Sequence, residues 1–225
     1  MCGRFNFLTH KKAIGERFGI KKFEFDIVPR YNIAPAQQIA VILRDPEARL
    51  VGMRWGFIPF WAKDPKIGNK MINARSETVD TKRMFSHSFK KKRCLILSTG
   101  FYEWQKTGKA KKPIHIRLKS REPFAFAGIY SHWKTPTDKV ILSCSILTTN
   151  PNELLKPIHN RMPVILSQDR EGFWLDPENE DVEGLKKLLT PYPSEVMEAY
   201  EISTYVNSAR NEGPECTLPV EGKSQ

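Results

Sequence analysis

Cysteine is scarce: the 225-residue chain has four, Cys2, Cys94, Cys144 and Cys216, and no two form a CxxC pair. That scarcity excludes a disulfide framework and leaves no zinc-site spacing, so a reducing cytoplasm is expected, with nucleoid association if the source is bacterial. No metal or other cofactor is expected. The N-terminus, Met-Cys-Gly-Arg-Phe, has no apolar h-region, and no apolar run is long enough to cross a bilayer, so neither secretion nor membrane insertion is expected. Internal repeats and low-complexity linkers are also missing. Residues 1–225 therefore read as one domain without an obligate protein partner, with 40% hydrophobic residues to build its core. Acidic residues are the minority charge, 25 against 36 Lys and Arg, which leaves the chain at +11. A polyanion, nucleic acid first among them, is the partner class this favours.

Runs rich in β-formers dominate the pattern: Ala40–Arg44, Leu50–Ile58, Cys94–Lys106, Ile114–Lys119, Phe124–Trp133, Val140–Thr149 and Pro163–Ser167. Helical spacing predicts an opening helix over His10–Ile20, capped by Thr9, and further helices over Glu77–Lys92, Asn152–His159, Gln168–Leu175 and Val182–Leu189. Helices do not alternate regularly with strands, so the fold class is α+β, with a barrel or sandwich of strands and short flanking helices. Lys106–Lys112 reads as a basic hairpin tip around Gly108. The cations of Lys90–Arg93 suit a helix C-terminus. The tail from about residue 215 is expected to fray.

Cys2 fits two readings by position, a small structural hydrophobe behind a retained Met1 or, with Met1 removed, a nucleophile. Removal of Met1 before this small residue leaves an α-amine and a thiol on one framework, a 1,2-aminothiol. The amine, with a reference pKa of roughly 7.7–8, is partly neutral at physiological pH and attacks aldehydes; the thiol then closes a five-membered thiazolidine. Glu103 sits among Phe101, Tyr102 and Trp104, and two orientations fit the pattern: buried with a raised pKa suited to proton transfer, or turned to water by strand alternation. His159, beside Asn160 and Arg161 in a predicted loop, fits either a structural hydrogen bond or a contact with a sugar oxygen or phosphate. Asn73 and Arg75 precede a predicted helix capped by Ser76 or Thr78 and suit ligand orientation. In Arg54–Lys63, Trp55 and Phe57 suit the core, whereas Phe60 and Trp61, next to Pro59, suit stacking on unpaired bases.

These segments occur in order along nearly the whole chain: Cys2-Gly-Arg-Phe, Tyr31-Asn-Ile-Ala-Pro, Arg54-Trp-Gly, Ile72-Asn-Ala-Arg-Ser-Glu-Thr, Phe101-Tyr-Glu-Trp, His159-Asn-Arg-Met-Pro and Val206-Asn. Together they resemble the SRAP family, the SOS-response-associated peptidases read as abasic-site crosslinking proteins. The resemblance implies a single β-rich α+β domain with a barrel-like core and a basic cleft for single-stranded DNA. It implies that Cys2 is the nucleophile once Met1 is lost, that Asn73 positions its amine, that Glu103 moves protons and that His159 stabilises the opened sugar. It further implies phosphate contacts for Arg4, Arg75, Arg83 and Arg161, a base wedge at Phe60 or Trp61, and strand cleavage by β-elimination. The stretch between Trp61 and Asn73 is longer and richer in lysine than the family pattern. Two other functions remain open on the residues alone: a cysteine peptidase using Cys2, His159 and Asn73, and a non-covalent binder of single strands.

Overall fold

The β-forming runs fold into strands that close on themselves in the computed structural model, which describes residues 2–108 and 110–220. Gln38–Arg44 and Ala48–Trp55 form an antiparallel hairpin. The first of these also pairs with Arg93–Ser98, which pairs with Phe124–Lys134, which pairs with Val140–Thr149. Val140–Thr149 then returns to lie parallel to Ala48–Trp55, with Ser143 opposite Arg54 and Cys144 opposite Trp55. The result is a five-stranded mixed barrel with one parallel seam. A second, antiparallel sheet runs in the order Met197–Glu201, Ala110–Leu118, Gly100–Thr107, Phe5–Phe7, Arg30–Ile33.

Aromatic side chains join the two sheets. Phe5 meets Trp55 edge-on at 5.0 Å between ring centroids, and Phe126 receives both Phe5 and Phe101 at 5.9 Å. All four are fully buried. Truncating a buried Phe at such a junction costs about 3–5 kcal/mol, and Phe126→Ala is expected to lower the urea midpoint accordingly. An unchanged midpoint would mean that the two sheets do not depend on this contact.

Val140–Thr149 and Gln168–Leu175 form as the pattern predicts, and the 106–112 hairpin is present, with Thr107 opposite Ala110 and Gly108 at φ 60. Elsewhere the structure differs. The predicted strand Cys94–Lys106 is two strands, because the chain leaves the barrel after Ser98 and enters the second sheet at Gly100. Any Cβ on Gly100 would lie 2.4 Å from His115 Nε2, so only glycine makes that crossing. The opening helix is Lys11–Phe18, and His10, not Thr9, caps it. The predicted helix Glu77–Lys92 shrinks to Ser86–Lys91. Its first half holds Thr78, Val79, Asp80 and Thr81, poor helix formers that make turns, and the Ser76 N–H bonds to the Thr148 carbonyl instead of starting a helix. Asn152–His159 is likewise a run of turns, interrupted by Pro157, which has no N–H to donate. Arg93 is buried and donates to the carbonyls of Phe89, Trp174 and Asn179, so it fastens helix ends inside the protein.

The C-terminal part does not fray at residue 215. Cys216 is fully buried, Pro219 bridges to Ile202, and the Val220 N–H donates to Glu201. The segment covers the apolar face of Tyr102, which the composition of the tail does not reveal. Residues 221–225 of the predicted fraying tail lie outside the described residues. Among the described residues no helix is long and apolar enough to cross a membrane.

Candidate active site

Cys2 is fully buried where the first strand meets the barrel. Its carbonyl accepts a 2.8 Å hydrogen bond from Asn73 Nδ2. Asn73 is held there by the short strand Asn73–Arg75, which runs parallel to Val140–Thr149 with Asn73 opposite Ile146. The other amide atom, Asn73 Oδ1, is buried with no hydrogen-bond partner among the described residues. Two residues on, Arg4 Nη1 donates to Asn32 Oδ1 at 2.7 Å and to the Val206 carbonyl at 2.9 Å. Asn32, fully buried, donates in turn to the carbonyls of Val206, Ser208 and Asn211. The peptide carrying Cys2 is thereby tied on one side to the barrel and on the other to the C-terminal segment.

Strand alternation places Phe101 and Glu103 on the side of the main core, and Tyr102 and Trp104 on the opposite side under Ile202 and Val206. Glu103 is 3% exposed, so the water-facing orientation does not occur. Burial pushes its carboxyl up to about 7. Burial first, and the Glu103 charge second, push the Cys2 thiol far above its ordinary value, so this thiol is held protonated.

Gln105, on the strand of Glu103, donates to the Pro157 carbonyl at 3.0 Å and so fixes the loop that carries His159. His159 Nδ1 lies 3.0 Å from the Arg161 backbone nitrogen and 3.2 Å from the Arg161 carbonyl oxygen, so the Arg161 backbone holds the ring in place. Partial burial, with the Lys106 cation adding to it, lowers the His159 pKa and keeps the ring neutral. Arg161 lies mostly buried and is bonded by both guanidinium ends to Glu77 and to the Thr148 carbonyl. Thr148 stands opposite Arg75 in the strand pairing, so this ion pair braces the loop against the strand of Asn73.

The remaining sequence-predicted residues lie at the surface. Arg75 and Arg83 are exposed. Phe60 and Trp61 are 61% and 44% exposed, with the Arg83 guanidinium 5.6 Å from the Trp61 ring and His87 edge-on to Phe60. Arg4 through Nη1, and Arg161 through both Nη atoms, are by contrast bonded to groups within the protein. Asn32, Gln105 and Glu77 are site-building residues to which sequence reasoning assigned no role. Asn32 and Glu77 do stand within the quoted motifs, and that is the only signal they give.

The family model "SOS response associated peptidase (SRAP)" matches residues 1–209. The chain is 48% identical over 219 residues to abasic site processing protein YoqW of Bacillus subtilis, covering 96% of this chain and 98% of that one. It is 46% identical over 219 residues to YoaM of the same organism, which carries the same description, covering 96% of each. A crystal structure of a protein from Bacteroides thetaiotaomicron superposes with a TM-score of 0.86 at 29% identity, covering 97% of this chain and 100% of that one. The chain belongs to the SRAP family.

Proposed function

We propose that this chain processes abasic sites in single-stranded DNA by bonding covalently to the exposed sugar through Cys2, after Met1 has been removed autoproteolytically or by a peptidase. The observation that carries this reading is the buried pair at the end of the first strand: Cys2 fixed by Asn73 beside a carboxyl poised near neutral pH. Relatives described as abasic site processing proteins at 46–48% identity support it.

The α-amine begins the reaction, because the thiol is held protonated while an amine of ordinary pKa is partly neutral. Asn73 Oδ1 is available to accept a hydrogen bond from that amine. The amine adds to C1′ of the ring-opened sugar, and the carbinolamine loses water with a proton from Glu103 to give an iminium. Glu103 then takes the Cys2 thiol proton as sulfur adds to the same carbon, closing a neutral thiazolidine; the carboxyl has its proton back and the net change is loss of one water. The neutral His159 ring offers a contact to a hydroxyl of the opened sugar. From the iminium, loss of the C2′ proton to a base such as Glu103 expels the 3′ phosphate, which is the route to lyase activity. Arg75 and Arg83 offer phosphate contacts and Phe60 or Trp61 a stacking wedge. Arg4 and Arg161 act by holding the site together, and a phosphate on Arg161 would compete with Glu77.

A cysteine peptidase is less favoured. Asn73 donates to the Cys2 carbonyl, His159 Nδ1 is engaged by the Arg161 backbone, and the Cys2 thiol is the reverse of an activated thiolate. Intact-protein mass spectrometry with a single-stranded oligonucleotide bearing one abasic site tests the proposal. Loss of Met1 and a gain equal to the oligonucleotide less one water is expected; loss of Met1 without any adduct would return the choice to peptidase or non-covalent binder.

A further inference from the structure

Residues 61–70 contain three lysines whose placement the proposed chemistry does not use. The stretch is built, not loose. The Ala62 carbonyl accepts from Trp133 Nε1 at 2.7 Å, Asp64 caps the 3-10 turn Pro65–Lys70 through the Lys66 N–H, and Asn69 Oδ1 accepts from Arg54. Gly68 is buried against Gly56, and a Cβ on either glycine would come within 2.6 Å of the other's carbonyl oxygen. That backbone contact fixes the height of the turn. Its end returns to the barrel through the Phe57 N–H to the Met71 carbonyl and Trp55 Nε1 to the Ile72 carbonyl.

On this fixed arm Lys63, Lys66 and Lys70 are all exposed, around an open pocket of about 550 Å³ shared with Trp61 and Ile67. Among the described residues none of the three lysines lies within ion-pair distance of a carboxylate. The one acid of the arm, Asp64, is turned to its own backbone. Lys70 is three residues from Asn73, so the arm starts within about 10 Å of the Cys2 clamp along the chain. Unpaired cations on a rigid support, next to a site for a polyanion, make a phosphate track.

We propose that the Lys63–Lys66–Lys70 arm is a separate polynucleotide subsite, which holds the phosphates of nucleotides flanking the abasic position and so extends the bound strand on one side only. The inference rests on the reading of this chain as a binder of single-stranded DNA. The subsite contributes affinity and salt dependence and takes no part in the covalent step.

The test compares the K63A/K66A/K70A variant with K12A/K21A/K187A, which removes the same charge from exposed positions elsewhere. Anisotropy titrations with a labelled single-stranded oligonucleotide, run over a range of salt in a Cys2→Ala background, report the phosphate contacts. Single-strand contacts change the log–log salt slope by about 0.7 each, so loss of three lowers it by about 2 in the arm variant and much less in the control. Oligonucleotides extended to one side of the abasic position are expected to lose that extension's gain in affinity in the arm variant alone. An unchanged slope in the arm variant, or an equal change in the control, overturns the proposal. Crosslinking is followed separately by intact mass with Cys2 in place. Salt-dependent binding without any adduct overturns the crosslinking reading and leaves the arm standing, whereas an adduct with an unchanged slope does the reverse.

Discussion

Cys2→Ala is expected to abolish the stable adduct with abasic single strands while leaving non-covalent affinity for the same oligonucleotide within about twofold, since one thiol contributes nothing to phosphate binding. The variant keeps an α-amine once Met1 is gone. It therefore still forms the imine, and borohydride reduction still traps it; what disappears is the adduct that survives without reductant. The contrast separates the two nucleophiles of one residue. The side chain is fully buried, and losing one sulfur atom there costs roughly 1 kcal/mol, too little to unfold a domain of this size. A borohydride-independent adduct at undiminished yield would assign the bond to another residue.

Glu103→Gln is the second large effect. A positioned acid–base group contributes about 10²- to 10⁴-fold, so adduct formation is expected to slow by at least 10²-fold. In the wild type the rate should change through pH 7, where the carboxyl titrates, and in the variant that break should vanish. The same burial acts on stability. The carboxyl is raised from 4.5 to about 7 on folding, so the folded state binds its proton more tightly. Its favourable contribution is complete below pH 4.5 and is lost as pH rises to 7, a change of about 3 kcal/mol. Glu103→Gln should therefore unfold at higher urea than wild type above pH 7, and the gain should shrink toward pH 5. A slower but more stable variant is the signature of a charge kept in place for chemistry. Equal rates and equal midpoints at pH 8 would leave Glu103 without a role in proton transfer.

Much of this was legible in the sequence, for identifiable reasons. Barrel strands announce themselves because a strand buried along most of its length is rich in β-branched and aromatic residues, as in Phe124–Lys134. Glu103 is detectable as the acid inside such a stretch, but its orientation depends on which face the C-terminal segment covers, and Tyr102 and Ile202 lie 100 residues apart. Short strands such as Phe5–Phe7 and Asn73–Arg75 carry no pattern long enough to count, yet they hold Cys2 and Asn73. The arginines show the same limit. Arg75 and Arg161 look alike as sequence, and only the fold reveals that one faces solvent while the other is bonded to Glu77.

The parallel seam has a consequence for how the molecule comes into being. Arg54 and Ser143 meet across nearly ninety residues of intervening chain, so the ring closes only after Val140–Thr149 has emerged. Until then the growing chain leaves the far end of Ala48–Trp55, beyond its pairing with Lys22–Phe23, as an open edge. Closing so long a loop before its contacts repay the lost freedom is slow. The last stave of the barrel also carries Ile146 and Thr148, which align the strand of Asn73, so no partial chain holds a reactive Cys2 in position. The chain acquires its chemistry only when its architecture is complete.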